Sequence, residues 1–124
     1  WEAAPAQKTQ MLVDHAVSAF VLLTEGKDAA EVEKDLAAVT SALGELEQLL
    51  KNLKGDAYGV YVPKMAQAFV EKAKAAAQDK SSPALVSAAL ALEDLLEAQN
   101  NAYKRDRAGI VEPEPGMNPH HGMQ

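Results

Sequence analysis

The sequence contains no cysteine among its 124 residues. Disulfide bonds, thiolate zinc sites, iron–sulfur clusters and covalent c-type haem attachment all require cysteine, so each of these is excluded. A nucleophilic thiol is excluded for the same reason. Any chemistry of this chain therefore rests on histidine, methionine, carboxylate or hydroxyl groups.

Aromatic residues are also scarce, at 5% of the chain, although 48% of its residues are hydrophobic. Alanine and leucine supply most of that hydrophobic fraction, which is typical of closely packed helices rather than of sheets. No apolar run approaches the roughly 20 residues of a membrane-spanning helix. We therefore expect one helical domain that does not span a membrane.

An excess of positive charge is missing as well. The chain has 12 basic and 18 acidic residues, which gives a formal net charge of −6. Polyphosphate recognition requires a concentrated basic surface, and here the basic residues are scattered among the acids. Nucleic acid is therefore not an expected partner.

The clearest pattern that is present is a row of apolar residues separated by alternating steps of four and three. This spacing predicts a long amphipathic helix at about 28–54. Asp28 followed by Glu31 resembles a capping box at its start, and Gly55 follows its end. The row consists of Val32, Leu36, Val39, Leu43, Leu46, Leu50 and Leu53.

Three further helices are predicted at about 5–24, 57–78 and 83–107. Pro63 should either begin or bend the third of them, because proline opposes an uninterrupted helix. The first presents Leu12, Ala16, Ala19 and Leu23 on one face, with Met11, His15 and Leu22 beside them. The third carries Tyr61, Met65, Phe69, Ala73 and Ala76.

The fourth predicted helix has Ser82 as its N-cap and Pro83 at its first position. Gly109 follows its end. Its apolar row is predicted to be Leu85, Ala89, Leu92, Leu96, Gln99 and Tyr103.

The connections between these helices, at 25–28, 54–57 and 79–82, are short enough to make sequential helices antiparallel. The sequence therefore predicts an all-α, up-down-up-down four-helix bundle over 1–109. An irregular tail rich in proline, histidine and methionine follows at 110–124. A helical hairpin that pairs with a second copy is the alternative, and the oligomeric state stays open.

The tail holds two of the three histidines and two of the four methionines within seven residues: Met117, His120, His121 and Met123. Imidazole and thioether together suit copper, above all Cu(I), whereas nickel or zinc could use the histidines alone. The alternative interpretation is a polar tail in which the donors cluster by chance.

Met11 and His15 lie four residues apart on the first helix, so their side chains are neighbours on one face. In an up-down-up-down bundle the first helix begins at the end where the fourth helix finishes. The tail and Trp1 with its amino group should therefore lie at that end, where all six donors could form one metal site.

In size and architecture the predicted bundle resembles the four-helix cytochromes of the c′ and b types, which are exported haem proteins. A c′-type protein needs a Cys-x-x-Cys-His motif, which this chain lacks. A b-type protein takes methionine from the first helix and histidine from the last. Met11 fits the first role, but 83–107 contains no histidine, so haem would need a histidine from the tail.

Motifs of the common enzyme classes are missing. There is no Gly-x-Ser-x-Gly, no phosphate-binding glycine loop and no Glu-x-x-His pair of the kind found in di-iron bundles. We therefore expect a protein that is not an enzyme.

These observations favour a small exported bundle that binds a transition metal, with copper ahead of nickel, zinc or haem. The start at Trp1 rather than methionine suggests that a signal peptide has been removed, which indicates a periplasmic or secreted protein. The alternative is an accessory or structural subunit of a larger assembly, in which a protein partner orders the tail.

Overall fold

The computed structural model describes residues 3–52, 59–108 (backbone only for 105–108) and 112–116, and this part of the chain forms four α-helices. None of them is long and apolar enough to cross a membrane. α1 packs most extensively against α2, and α3 against α4. The predicted all-α antiparallel four-helix bundle is confirmed. The helices are α1 (Ala3–Thr24), α2 (Ala29–Lys51), α3 (Tyr61–Asp79) and α4 (Ser82–Ala108).

The apolar row of α2 faces the core as predicted, because its spacing keeps every member on one side of the helix. The helix starts at a side-chain cap, in which Asp28 Oδ1 accepts the Glu31 N–H at 3.0 Å. The helix ends at Lys51, so Leu53 and Gly55 of the predicted end lie outside the described residues. The buried members of the row are Val32, Leu36, Val39, Leu43 and Leu46.

α1 buries Leu12, Ala16 and Ala19, as its predicted face requires. It stops where predicted, because Gly26 adopts a positive φ of 71° that glycine alone adopts without steric cost. The Lys27 N–H then reaches back to Leu22 O at 3.0 Å. This bond satisfies a carbonyl that the helix end would otherwise leave unpaired.

α3 begins two residues before Pro63, so the proline lies in the first helical turn. A residue in that turn has no intrahelical partner for its N–H, and the missing proton therefore costs nothing. The sequence predicts that Pro63 either begins this helix or bends it, and in the structure Pro63 lies at its beginning. Met65, Phe69 and Ala73 are buried on the predicted face.

The predicted N-cap of α4 is wrong by one residue. Ser81, not Ser82, caps the helix, because its Oγ accepts the Ala84 N–H at 3.2 Å and its carbonyl accepts the Leu85 N–H at 3.0 Å. Pro83 is consequently the second helical residue.

The predicted apolar row of α4 is right in part, since Leu92 and Gln99 are buried, but it is wrong at Leu96. Leu96 is largely exposed, whereas Leu95 is fully buried. Small side chains face the core here, because α3 and α4 approach each other through alanines, and the prediction followed the larger leucines instead. The alanines concerned are Ala66, Ala73 and Ala77 of α3 and Ala88, Ala91, Ala98 and Ala102 of α4.

Residues 112–116, here called the strap, are part of the predicted tail but pack against the bundle. Glu112 is buried, and its carboxylate accepts the N–H groups of Gly59 at 2.8 Å and Val60 at 3.2 Å. α3 has no side-chain cap of its own. The carboxylate therefore satisfies the exposed N–H groups at the start of α3 and lies at the positive end of the helix dipole.

The rest of the strap lies along the α3–α4 side of the bundle. Asn101 donates to the carbonyl of Pro113 at 3.3 Å, and Lys64 pairs with Glu114 at 3.0 Å. The strap ends beside Asp94 of α4. A Cβ added to Gly116 would lie 3.6 Å from a carboxylate oxygen of Asp94.

Glu112→Ala should lower the free energy of unfolding by about 2 kcal/mol, because it leaves two N–H groups at the start of α3 without their charged acceptor. Glu114→Ala is the matched control, since it removes only a surface ion pair worth less than about 1 kcal/mol. Urea denaturation of both variants measures the difference. Equal losses in the two variants would show that Glu112 does not cap α3.

Gly44 lies in the middle of α2, and a Cβ added there would meet nothing within 4 Å. Gly44→Ala should therefore stabilise the fold by about 0.5–1 kcal/mol, because alanine has the higher helix propensity. Gly26→Ala is the contrasting control and should destabilise it, since Gly26 has a positive φ. Urea denaturation tests both signs, and a loss of stability in Gly44→Ala contradicts the argument.

Candidate metal site

A row of polar and sulfur-containing side chains follows the edge of α1 that faces α2. Its members, Lys8, Met11, His15 and Ser18, are spaced by three or four residues, which puts them on one side of the helix. Lys8 forms an ion pair with Glu45 of α2. The donors predicted on α1 therefore lie at the junction between α1 and α2.

His15 is the best-positioned member of this row. Its side chain is 42% exposed, and its Nδ1 lies 3.5 Å from Asp35 Oδ1. The other oxygen of that carboxylate accepts the Ser18 hydroxyl at 2.6 Å. Asp35 is thus held between α1 and α2 and faces one ring nitrogen of His15.

This contact decides which nitrogen of His15 is available for a ligand. A carboxylate beside Nδ1 favours the tautomer that carries its proton on Nδ1, which leaves a lone pair on Nε2. Metal-binding histidines use this arrangement, because the carboxylate fixes the ring orientation and makes the free nitrogen more basic. Sequence reasoning did not identify Asp35 or Ser18, since 20 residues separate His15 from Asp35 and a connecting turn lies between them.

Met11 supplies a thioether one helical turn before His15. It is 48% exposed, and Lys8 Nζ lies 3.9 Å from its sulfur. A methionine this exposed contributes little to the core, and its sulfur is accessible from solvent. Met11 and His15 together offer one soft and one borderline donor on a rigid helix.

The other predicted donors, Met117, His120, His121 and Met123, lie outside the described residues, as does Trp1. The strap that precedes these donors lies against α3 and α4, whereas Met11 and His15 lie beside α2. The chain therefore enters its last eight residues from the side of the bundle opposite His15. The single site formed by all six donors stays a prediction.

No group of three or more histidine, cysteine, aspartate or glutamate side chains suited to a metal occurs within 3–52, 59–104 and 112–116. A site on α1 therefore needs donors from elsewhere to complete its coordination. Met11 and His15 alone would supply two ligands, which leaves further coordination positions of the metal to be filled.

We expect the neutral His15 ring to carry its proton on Nδ1, because a carboxylate oxygen of Asp35 lies 3.5 Å from that nitrogen. Nitrogen-15 chemical shifts of the ring distinguish the two tautomers. Asp35→Asn should weaken this preference, whereas Asp14→Asn should not, because the Asp14 carboxylate accepts from Gln10 and no contact joins it to the His15 ring. A proton found on Nε2 in the unaltered protein would contradict the orientation described here.

Comparisons with protein-family models, with curated proteins and with solved structures find no match to this chain.

Proposed function

We propose that this chain is a non-enzymatic binder of a transition metal and that the metal is copper as Cu(I). The observation that carries the proposal is the 3.5 Å contact of His15 Nδ1 with Asp35, which leaves Nε2 for a ligand one helical turn from the exposed Met11. Thioether and imidazole are ligands that Cu(I) accepts, whereas zinc and nickel make little use of thioethers. The role is binding or delivery of the ion.

The donor set also suits the exported, periplasmic location expected from the sequence. Free thiols are converted to disulfides in oxidising compartments. A site built from histidine and methionine instead of cysteine avoids that reaction. The absence of cysteine and the presence of four methionines and three histidines therefore agree with one another.

The strap ends at about the same height along the bundle axis as His15. Gln99 donates to Gln10 at 2.9 Å, which sets the register of α1 against α4. Five residues further along each helix in the same direction are His15 and Asp94, and the strap ends at Asp94. To reach His15, the residues after the strap would therefore have to pass around the bundle at this height, with little displacement along its axis.

The path around the bundle crosses α4 and α1, each about 10–12 Å across with side chains. The eight residues after Gly116 span at most about 28 Å. Counted from Gly116, the four residues to His120 and the five to His121 extend the backbone by at most about 14 and 18 Å, and the seven to Met123 by about 25 Å. Met123 is therefore the tail donor with enough reach for this path, and only in a nearly straight conformation. This small margin makes chain length a sensitive test of the composite site.

Titration of the purified protein with Cu(I) against a chromophoric chelator should show one ion bound per chain. His15→Gln should weaken binding at least about tenfold by loss of a ligand. Truncation after Gly116 should do the same, and it retains the strap, so the fold stays intact. Unchanged affinity in the truncated protein would overturn the composite site.

Deletion of Asn118 and Pro119 gives a sharper version of this test. It retains every donor but shortens the tail by about 7 Å, so a composite site should lose affinity. Replacing the same two residues by Gly and Ser is the matched control and should bind normally. If the deletion binds as tightly as the control, the tail binds copper without His15.

A second candidate function is that of an accessory subunit in a larger assembly. Val17 and Val21 of α1 and Leu96 of α4 are exposed apolar side chains on the side where these two helices meet. Native mass spectrometry of a mild extract, with and without added copper, distinguishes a bound ion from a bound protein. The b-type haem hypothesis gains no support, because Met11 lies at the surface instead of between the helices.

A further inference from the structure

A cavity of about 160 Å³ lies at the end of the bundle opposite the start of α1 and the end of α4. The α1–α2 turn and the α3–α4 turn meet there. Part of its wall is apolar and is formed by Leu23, Ala76, Ala77 and Leu85. Thr24, Ser81 and Ser82 add hydroxyl groups to the lining. An engineered apolar cavity of similar volume, about 150 Å³, is known to accept benzene, so this one has room for a ligand of roughly six to eight non-hydrogen atoms.

Two lysines stand at the mouth of the cavity, and no carboxylate is found among the described residues that line it. Lys80 comes from the end of α3 and Lys27 from the α1–α2 turn. Lys80 Nζ lies 3.5 Å from the carbonyl of Lys27, which brings the two residues together across the opening. The chain has a net charge of −6, so a cavity whose charged lining residues are both lysines is unusual for it.

The acids adjacent to the two lysines in the chain, Asp28 and Asp79, already have hydrogen-bond partners, and Glu25 lies two residues before Lys27. Asp28 accepts the Glu31 N–H at 3.0 Å, and Asp79 accepts the Ser81 hydroxyl at 2.6 Å. Lys27 forms no hydrogen bond or ion pair through its ammonium group within the described residues. A ligand anion would therefore find at least one ammonium group that no side chain occupies.

The backbone at Lys80 is a separate observation. Lys80 has φ 57° and ψ 23°, and its N–H bonds to Ala76 O at 2.9 Å. This is the left-handed position after a helix where glycine is the usual residue, because any side chain is strained there. The fold would be more stable with glycine, so the lysine side chain is the feature that is retained.

We propose that this cavity binds a small monocarboxylate with an aliphatic body of about four to six carbons. The body lies against Leu23, Ala76, Ala77 and Leu85, and the carboxylate meets Lys27 and Lys80 at the mouth. This site is independent of the copper site, because the two lie on different parts of the bundle.

Titration of the full chain with pentanoate, followed by amide chemical shifts, tests the proposal. The shifts should saturate and should be confined to residues around the cavity. Pentylammonium and pentanol, which carry the same body without the negative charge, should bind at least about tenfold more weakly. Acetate, which lacks the body, should also bind more weakly. Equal binding of pentylammonium, or no saturation with pentanoate, overturns the proposal.

Two variants separate binding from stability. Lys80→Gly should weaken pentanoate binding while it raises the thermal midpoint by about 2–5 °C, because the strain is relieved. Lys27→Gln should weaken binding with little change in the midpoint. Lys72→Gln, an exposed lysine elsewhere on α3, is the control and should bind normally. If Lys27→Gln and Lys80→Gly both bind like the control, the lysines do not form a carboxylate site.

Discussion

The fold depends first on the apolar row of α2, because this row contributes to the packing on both of its neighbours. Val32, Leu36, Val39 and Leu46 are completely buried. Burial of a side chain of this kind contributes about 1.5–3 kcal/mol, so the row is a large part of what holds the bundle together. Because α1 packs against this row, the outer edge of α1 lies beside Asp35 and Glu45 of α2. The packing of α1 on α2 therefore positions the residues of the candidate metal site.

A second constraint acts at the start of α3. The helix has no cap of its own, and Glu112 supplies one from 52 residues further along the chain. The same contact ties the beginning of the tail to the bundle and directs it along α3 and α4. The contact that satisfies the backbone of α3 thus also fixes the point on the bundle from which residues 117–124 continue.

The sequence was sufficient to predict features that depend on local spacing. The four helices, the buried row of α2, the Asp28 cap and the end of α1 at Gly26 all follow from residues within a few turns of one another. The row of α4 was predicted only in part because alanine carries little hydrophobic signal, although it decides how closely α3 and α4 pack. Asp35 and Glu112 could not be predicted as partners, because their pairings depend on how whole helices rotate against each other. On the candidate site, sequence identified Met11 and His15 but not the carboxylate that orients the ring.

Residues that the fold does not favour are informative, because a sequence normally agrees with its structure at every level except where function intervenes. Examples in the described part are exposed Met11, Gly44 in the middle of a helix, and Lys80 in a left-handed conformation. Gly44 has no neighbour that requires a glycine, and nothing beside it indicates a ligand. Met11 and Lys80 differ, because each lies next to a second feature with chemical meaning, an oriented imidazole in one case and a cavity bordered by cations in the other. Each proposal therefore rests on two independent features that occur side by side, and one unusual residue alone would support neither.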